Sequence, residues 1–333
     1  MDRLDWLALV TEDVIDPAQP IVDPHHHLWA WGIEGVADYG LADLRLDTGA
    51  GHNVVKTVFV ECGAGYRTDG PEHLRPVGET EFVARLADES DATPGARIAS
   101  IVGTTDLRAD AAVIDEVLDA HSSASGGRFR GIRHAGACDP DPASLAIAGR
   151  APAGLYLDPA FQAGVRHLGE RGLTYDTWHY HHQNADFLTL AEAAPGTTIV
   201  LDHLGTPLGV GRFAGQREEI FEQWRVDIAA IARYENVVAK LGGLAMPDNG
   251  FGWHLAERPA TSDDMVGAQA RYYEHMIECF GVERCMFESN FPVDKMSASY
   301  VVVWNAFKKM TAGCNAAERQ ALFHDTAALT YRI

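Results

Sequence analysis

Three consecutive histidines, His25, His26 and His27, are the densest chemical feature of the sequence. They close an apolar run over residues 20–27 that is typical of a β-strand. Because residues two apart in a strand point to the same face, His25 and His27 can converge on one ion while His26 faces away. Imidazole is the commonest metal ligand, and a catalytic zinc site needs about three protein ligands and an open position for water. The spacing therefore indicates a metal site, with a solvated turn or purely hydrogen-bonding histidines as the alternative.

Polar side chains also close most of the other apolar runs. Those nearest the run ends are Glu61, Arg130, Arg133, His134, Asp176, Trp178, His179, His181, His182, Asp202, His203, Lys240, Glu288 and Asn290. If the runs are parallel strands of a barrel, their carboxyl ends meet at one face, and that face carries the active site. We therefore expect these side chains to surround one site together with His25 and His27.

The runs that must position these residues alternate with helical stretches. Eight apolar, β-branched runs lie at residues 20–27, 54–63, 96–106, 128–134, 172–179, 197–203, 236–243 and 284–290. Helical spacing follows at residues 78–90, 110–121, 158–171, 183–194, 217–235, 270–281 and 297–310. Only the first crossover, around Asp38 to Gly51, is weak. Strands separated by helices pair in parallel, and eight such units favour a closed (β/α)8 TIM barrel of the α/β class.

An open doubly wound sheet is the rival architecture. It usually carries a glycine-rich phosphate loop after its first strand, where this chain has Asp-Pro-His-His-His. No internal repeat or Pro/Gly/Ser-rich linker divides the sequence, so we expect one domain over residues 1–333.

The two ends and one loop of this domain lie outside the alternation of strands and helices. We expect residues 1–19 to form an N-terminal extension and residues 315–333 to contain a final helix from Ala316 to Thr330. Residues 242–261 make a loop about twice the usual length, which is typical of a lid. A rigid Ω-loop packed on its own aromatic residues is the alternative for this loop.

The composition excludes several classes of protein. The chain has 47 acidic against 27 basic residues and a formal charge of −20, which repels a nucleic-acid backbone. The sequence contains no stretch of about 18 apolar residues that could cross a membrane, and the acidic N-terminus lacks the basic start of a signal peptide. We therefore expect a cytoplasmic protein that acts on a small molecule, with its five cysteines reduced. Barrels of this size often pair, so the sequence is compatible with a homo-oligomer.

Residues 23–29, Asp-Pro-His-His-His-Leu-Trp, resemble the first-strand Asp-x-His-x-His signature of the amidohydrolase superfamily, in particular its amidohydrolase 2 branch of TIM-barrel hydrolases with their lactonases. Further matches follow in order at residues 130–134, 200–205 and 287–294. The resemblance covers nearly the whole chain. It implies a barrel in which His25, His27 and His203 surround a divalent metal, expected to be zinc. Some lactonases of this branch act without a metal, and their histidines then polarise the carbonyl group and orient water.

The eighth strand departs from the family pattern. The common Phe-x-Ser-Asp-(Trp/Phe)-Pro appears here as Phe-Glu-Ser-Asn-Phe-Pro, so Asn290 takes the place of the aspartate. An amide does not accept a proton near neutral pH, so Asn290 cannot be the general base. Three interpretations remain open. Glu288, on the same face of the strand, replaces the carboxylate as ligand or base; His203 or His181 is the base; or hydrolytic activity is lost.

Four further residues are candidates for substrate binding. Arg133 can present two parallel donors to a carboxylate, or it can pair with an acid on a neighbouring strand. Glu61, Tyr66 and Trp178 follow the second and fifth runs and can reach the mouth of the barrel. We expect a hydrolase that opens a small carboxylated lactone by attack of water on its carbonyl. A metal-dependent aryl-acid decarboxylase of the same superfamily and a binding protein without activity are the alternatives.

Overall fold

Eight parallel strands follow one another around a barrel in the computed structural model, which describes residues 3–30 and 37–333. The strands are β1 (Pro20–His26), β2 (Asn53–Val60), β3 (Arg97–Gly103), β4 (Phe129–Arg133), β5 (Thr174–Thr177), β6 (Ile199–Leu201), β7 (Val237–Leu241) and β8 (Cys285–Phe287). A parallel bridge between His26 and Phe291 joins the first strand to the segment after the last one. The prediction of a (β/α)8 TIM barrel is therefore confirmed.

One helix follows each strand. After a short α1 (Arg3–Leu7), these helices are α2 (Leu41–Thr48), α3 (Val77–Ala92), α4 (Ala111–Ala124), α5 (Pro159–Glu170), α6 (Asn184–Ala193), α7 (Arg217–Ile231), α8 (Ser262–Phe280) and α9 (Tyr300–Met310). The weak first crossover contains α2, which is only eight residues long. The expected final helix is divided into α10 (Ala316–Gln320), a π-helical turn at Ala321–Asp325 and α11 (Thr326–Tyr331). None of the helices within the described ranges is long and apolar enough to cross a membrane.

The apolar residues form two layers. The larger lies between the sheet and the surrounding helices, and a smaller cluster fills the barrel with β-branched residues such as Val22, Val58 and Val200. Tyr331, the last residue of α11, packs in the same inner cluster and is fully buried. A packed barrel has no open channel, so ligand chemistry is confined to the loops at the carboxyl ends of the strands.

The long loop at residues 242–261 packs on its own aromatic residues. The rings of Phe251 and Trp253 stack with their centroids 4.9 Å apart, and the Arg217 guanidinium lies 3.9 Å from the Phe251 centroid. Trp6, in the N-terminal extension, donates a 3.0 Å hydrogen bond from Nε1 to the carbonyl of Ala256. These contacts correspond to the packed alternative, and movement of this loop as a lid stays a prediction.

Candidate functional site

The first two histidines of the site come from the end of β1. His25 Nε2 lies 3.3 Å from His27 Nε2, and both rings are buried. His27 Nδ1 lies 2.8 Å from the carbonyl of Val60, which fixes a proton on that nitrogen and leaves Nε2 with its lone pair. His26 points away and packs against Phe59, with ring centroids 6.0 Å apart. The alternation expected from the strand is therefore present.

His203 joins these histidines because the chain turns sharply after β6. His203 and Leu204 have φ angles of 54° and 56°, in the left-handed region that side chains other than glycine rarely adopt. The imidazole centroids of His203 and His25 are 4.6 Å apart. Gly243 makes this approach feasible, because a Cβ at that position would lie 2.4 Å from His203 Nδ1. Two adjacent glycines, Gly242 and Gly243, at the end of a strand indicate such a close approach in the sequence.

Glu288 lies behind two of the three imidazoles and is fully buried. Its Oε1 is 2.6 Å from His203 Nδ1, and its Oε2 is 2.9 Å from His25 Nδ1. Within the described part of the chain, Oε2 makes no hydrogen bond, because Lys240 Nζ donates to the same His25 nitrogen at 3.2 Å. Moving the His25 proton from Nε2 to Nδ1 would satisfy Glu288 Oε2 and release His25 Nε2.

A charged layer lies beneath the histidines. Lys240 is fully buried, with Nζ 2.8 Å from Asp176 Oδ2 and 3.1 Å from Asp202 Oδ1. Tyr331 donates its hydroxyl to the same Asp176 oxygen. Burial opposes the charge of Lys240, but Asp176 and Asp202 raise its pKa above the ordinary value. Lys240 is therefore a permanent internal cation. The pairing of Asp176 with Tyr331 has no local sequence signal, since the tyrosine comes from the far end of the chain.

Burial also decides the protonation of the site. Desolvation holds the pKa values of His25 and His27 well below the ordinary range and lowers that of His203 to about 3. Desolvation raises the pKa of Asp202 to about 7 and that of Glu288 to about 8, against the opposing charge of Lys240. The three imidazoles are consequently neutral at pH 7, which is the form that binds metal ions.

Arg133 borders the histidine cluster but already has a partner. Its Nε donates to Glu61 Oε1 at 2.8 Å, and its Nη2 donates to the Glu61 carbonyl. Its Nη1 lies 3.5 Å from His25 Nε2 and 4.0 Å from Asp202 Oδ2. Burial disfavours the charge, yet Glu61 and Asp202 raise the pKa of Arg133, which therefore remains cationic. Of the two expectations for Arg133, the structure therefore shows the ion pair with an acid from another strand, Glu61.

Asn290 faces the site from the segment after β8. It has a φ of 54°, and its backbone N–H donates to the His25 carbonyl at 3.1 Å. The side-chain Nδ2 donates to Asp294 Oδ1 at 2.9 Å. This contact leaves the amide oxygen of Asn290 as the group that can accept from water or substrate.

A cavity of about 610 Å³ opens above these groups, and the lining includes His27, Arg133, Trp178, His203 and Asn290. The other predicted site residues lie outside this lining. Glu61 pairs with Arg133, and Tyr66 is 37% exposed on the β2 loop. His181 accepts a 3.1 Å hydrogen bond from the Leu208 backbone and packs against Phe213. The structure therefore does not bring His181 together with the three clustered imidazoles.

Comparison with known proteins identifies this arrangement at the level of the family. The family model described as amidohydrolase matches residues 22–333. The chain belongs to the amidohydrolase family. This amidohydrolase is 33% identical over 331 residues to the protein y4mH of Sinorhizobium fredii, with coverage of 94% of this chain and 98% of the relative.

Two further similarities involve Burkholderia multivorans. The amidohydrolase is 26% identical to the L-fucono-1,5-lactonase of that organism, over 94% of this chain and 96% of the relative. A solved amidohydrolase from the same organism, with bound zinc in one crystal form and bound HEPES in another, superposes with a TM-score of 0.73 at 26% identity, over 94% of this chain and 99% of the other.

The donor set of this amidohydrolase fits a divalent cation. His25, Asp202 and His203 each present a ligand atom within 4.8 Å of the others. Each of the three imidazoles has an oxygen acceptor next to Nδ1, and such outer partners orient Nε2 toward a metal. Asp202 Oδ1 is ion-paired with Lys240, and Asp202 Oδ2 accepts no hydrogen bond within the described residues. Asp202 Oδ2 and Glu288 Oε2 are therefore the oxygens that metal binding would satisfy, directly or through the tautomer of His25.

Proposed function

We propose that this amidohydrolase opens lactones by attack of water on the ring carbonyl. Water adds to the carbonyl carbon and gives up a proton, and the bond from that carbon to the ring oxygen breaks. The departing alkoxide takes up that proton, so lactone and water together give a hydroxy acid. The observation that carries the proposal is the convergence of three neutral imidazoles, two of which, His27 and His203, line one cavity beside the charged guanidinium of Arg133. Similarity to an L-fucono-1,5-lactonase supports this reaction.

His25, His27 and His203 are the residues that would hold a divalent cation, since His27 Nε2 lies 3.3 Å from His25 Nε2. Asp202 presents a carboxylate oxygen within 4.8 Å of ligand atoms of His25 and His203. When bound, such a cation polarises a carbonyl group and lowers the pKa of water to about 7. The zinc in the solved relative makes zinc the metal to test first.

Three further side chains bind or orient groups without forming covalent bonds or transferring protons. Arg133 keeps its charge and stabilises the negative charge that develops on the carbonyl oxygen. Asn290 accepts a hydrogen bond from the attacking water through its amide oxygen and orients it, but does not take its proton. Glu288 holds the rings of His25 and His203 in position.

The carboxylate that the sequence led us to expect on the lactone is not part of this proposal. A carboxylate needs two parallel donors of Arg133, and Nε and Nη2 of that guanidinium already donate to Glu61. Nη1 is left for the carbonyl oxygen. The proposed substrate is accordingly a lactone without a required carboxylate.

The test combines metal analysis with turnover on a panel of lactones. Protein purified without chelator is expected to contain about one zinc per chain and to hydrolyse at least one lactone, with activity lost on chelation and restored by zinc. His203→Ala should lose both zinc and turnover, whereas His73→Ala, an imidazole paired with Glu116 outside the site, should change neither. Absence of turnover on every lactone would contradict the proposed reaction, and turnover unchanged by chelation would contradict the metal.

A further inference from the structure

The cavity above the histidines has a polar floor and an apolar wall. His27, Arg133, His203 and Asn290 form the floor. The wall is formed by side chains from five loops, including Trp29, Ile147, Trp178, Met246, Val293 and Met296. Ligand sites are commonly apolar with a few polar groups that fix orientation, so the wall is the surface that selects the part of a substrate away from the reacting bond.

Each polar group of the floor already has a partner on one side, which leaves few donors and acceptors for a ligand. Arg133 donates to Glu61, His27 Nδ1 is hydrogen-bonded to Val60, His203 Nδ1 to Glu288, and Asn290 Nδ2 to Asp294. A lactone with many hydroxyl groups would leave water without regaining equivalent hydrogen bonds against the wall. The chemistry of the cavity therefore disfavours a polyhydroxylated substituent.

Trp178 contributes its ring and not its N–H to this wall. Its Nε1 is shielded from solvent and has no hydrogen-bond partner among the described residues. Because Trp178 nevertheless lines the cavity, a ligand meets the carbon atoms of its indole ring there.

The wall is held in place by the loops after β4 and β7. The backbone N–H groups of Ala146 and Ile147 donate to the two oxygens of Asp248 at 2.6 and 2.9 Å. Tyr180 donates its hydroxyl to the Ile147 carbonyl at 3.1 Å. These bonds fix Ile147 against the cavity before a ligand arrives, so the apolar surface is preorganised.

We propose that the substrates are lactones bearing an apolar alkyl or aryl substituent that packs on this wall. The proposal rests on the lactone hydrolysis described above and names its substrate class. The ester faces the histidines, and the substituent extends toward Met246, Val293 and Met296.

The experiment measures two quantities over one chemical series. The first is kcat/KM for δ-lactones with hydrogen, methyl, propyl, pentyl or heptyl next to the ring oxygen, compared with a sugar-derived 1,5-lactone. The second is the Kd of the matching lactams, which bind in the same way but resist hydrolysis. We expect both kcat/KM and affinity to rise about fourfold per methylene until the wall is covered. The sugar lactone should have a kcat/KM at least about tenfold below that of the pentyl compound.

Two isosteric substitutions test whether the dependence on chain length arises from the wall or from another part of the protein. Val293→Thr keeps the shape but adds a hydroxyl to the wall, and should reduce the gain per methylene to about twofold or less. Val226→Thr makes the same change on α7 at a side chain that is 64% exposed, and should leave the series unchanged.

The outcomes distinguish this inference from the proposed reaction. Hydrolysis that is independent of chain length, or faster with the sugar lactone, would overturn the apolar substrate class and leave lactone hydrolysis in place. If no lactone reacts but lactam affinity still rises with chain length, the reaction is wrong and the apolar site is supported. If lactam affinity does not depend on chain length, the apolar site is wrong whatever the turnover.

Discussion

Asp294 accepts the side-chain hydrogen bond of Asn290, so a carboxylate lies four residues after the position where the family pattern has an aspartate. Asp294 also accepts from the backbone N–H of Ala245 at 3.2 Å and is almost fully buried. The pair thus fixes the amide of Asn290 and joins the loops after β7 and β8. At the position where the family pattern has a proton acceptor, this site therefore has an amide whose orientation is fixed by a buried acid.

We expect Asp294→Asn to destabilise the protein by about 1–3 kcal/mol, because an amide cannot accept from both donors and leaves one buried group unpaired. Urea unfolding measures this change. Asp263→Asn, at an exposed surface pair with Lys309, is the control and should cost at most about 1 kcal/mol. Equal effects of the two substitutions would show that the buried contacts of Asp294 do not contribute to stability.

The internal cation Lys240 gives a second prediction. Lys240→Met leaves Asp176 and Asp202 buried without their counter-ion and should lower the free energy of unfolding by about 3–5 kcal/mol. The double variant with Asp176→Asn should recover part of this loss, because one of the unpaired charges is removed. Guanidinium unfolding of both proteins is the measurement. A cost below about 1 kcal/mol for the single variant would contradict the role of Lys240 as a counter-ion.

Glu288 is expected to control metal affinity through the histidines that it contacts. Glu288→Gln keeps the size of the side chain but replaces one of the two oxygens that face Nδ1 of His203 and His25 with an amide N–H donor, so zinc affinity should fall about 10-fold to 100-fold. Competition with a chromogenic chelator measures this affinity without reference to turnover. Glu283→Gln, an exposed residue shortly before β8, should leave it unchanged. Unaltered affinity in Glu288→Gln would show that its contacts do not orient the ligands.

Part of this site could be predicted from the sequence. The alternation of strands and helices predicts the barrel, and the two-residue spacing of His25 and His27 places them on one face, because both depend on local periodicity. Both features are encoded within a few residues, so a single sequence carries their signal. The place of His203 in the site was implied by the resemblance of residues 200–205 to a family motif and not by local periodicity.

The rest depends on contacts between distant segments. The pairing of Tyr331 with Asp176 spans 155 residues, and the pairing of Arg133 with Glu61 spans 72. The predicted runs also extend beyond the last strands, since β8 ends at Phe287 and Asn290 already has a left-handed φ. Polar residues at such turns choose their direction according to partners that local patterns do not specify.

A final prediction concerns stability and pH at Glu79, which lies outside the histidine cluster. This residue of α3 is 2% exposed, and its Oε1 accepts from the backbone N–H groups of Cys62 and Ala64 at 2.9 and 2.8 Å. Burial, together with the charge of Glu61, raises the pKa of Glu79 from 4.5 to about 8. The folded protein therefore retains this proton over a pH range in which the unfolded chain has lost it.

The sign of the effect follows from this difference. Between about pH 4.5 and pH 8 the folded state binds more protons than the unfolded state, so the contribution of Glu79 to stability decreases as pH rises, by up to about 1.4 kcal/mol per pH unit. Glu79→Gln keeps the acceptor for both N–H groups but cannot ionise. Urea unfolding from pH 5 to pH 8 should therefore show a shallower loss of stability in this variant than in the parent protein, while the exposed Glu89→Gln on the same helix should follow the parent. Parallel curves for Glu79→Gln and the parent would show that Glu79 is ionised in the folded protein throughout this range.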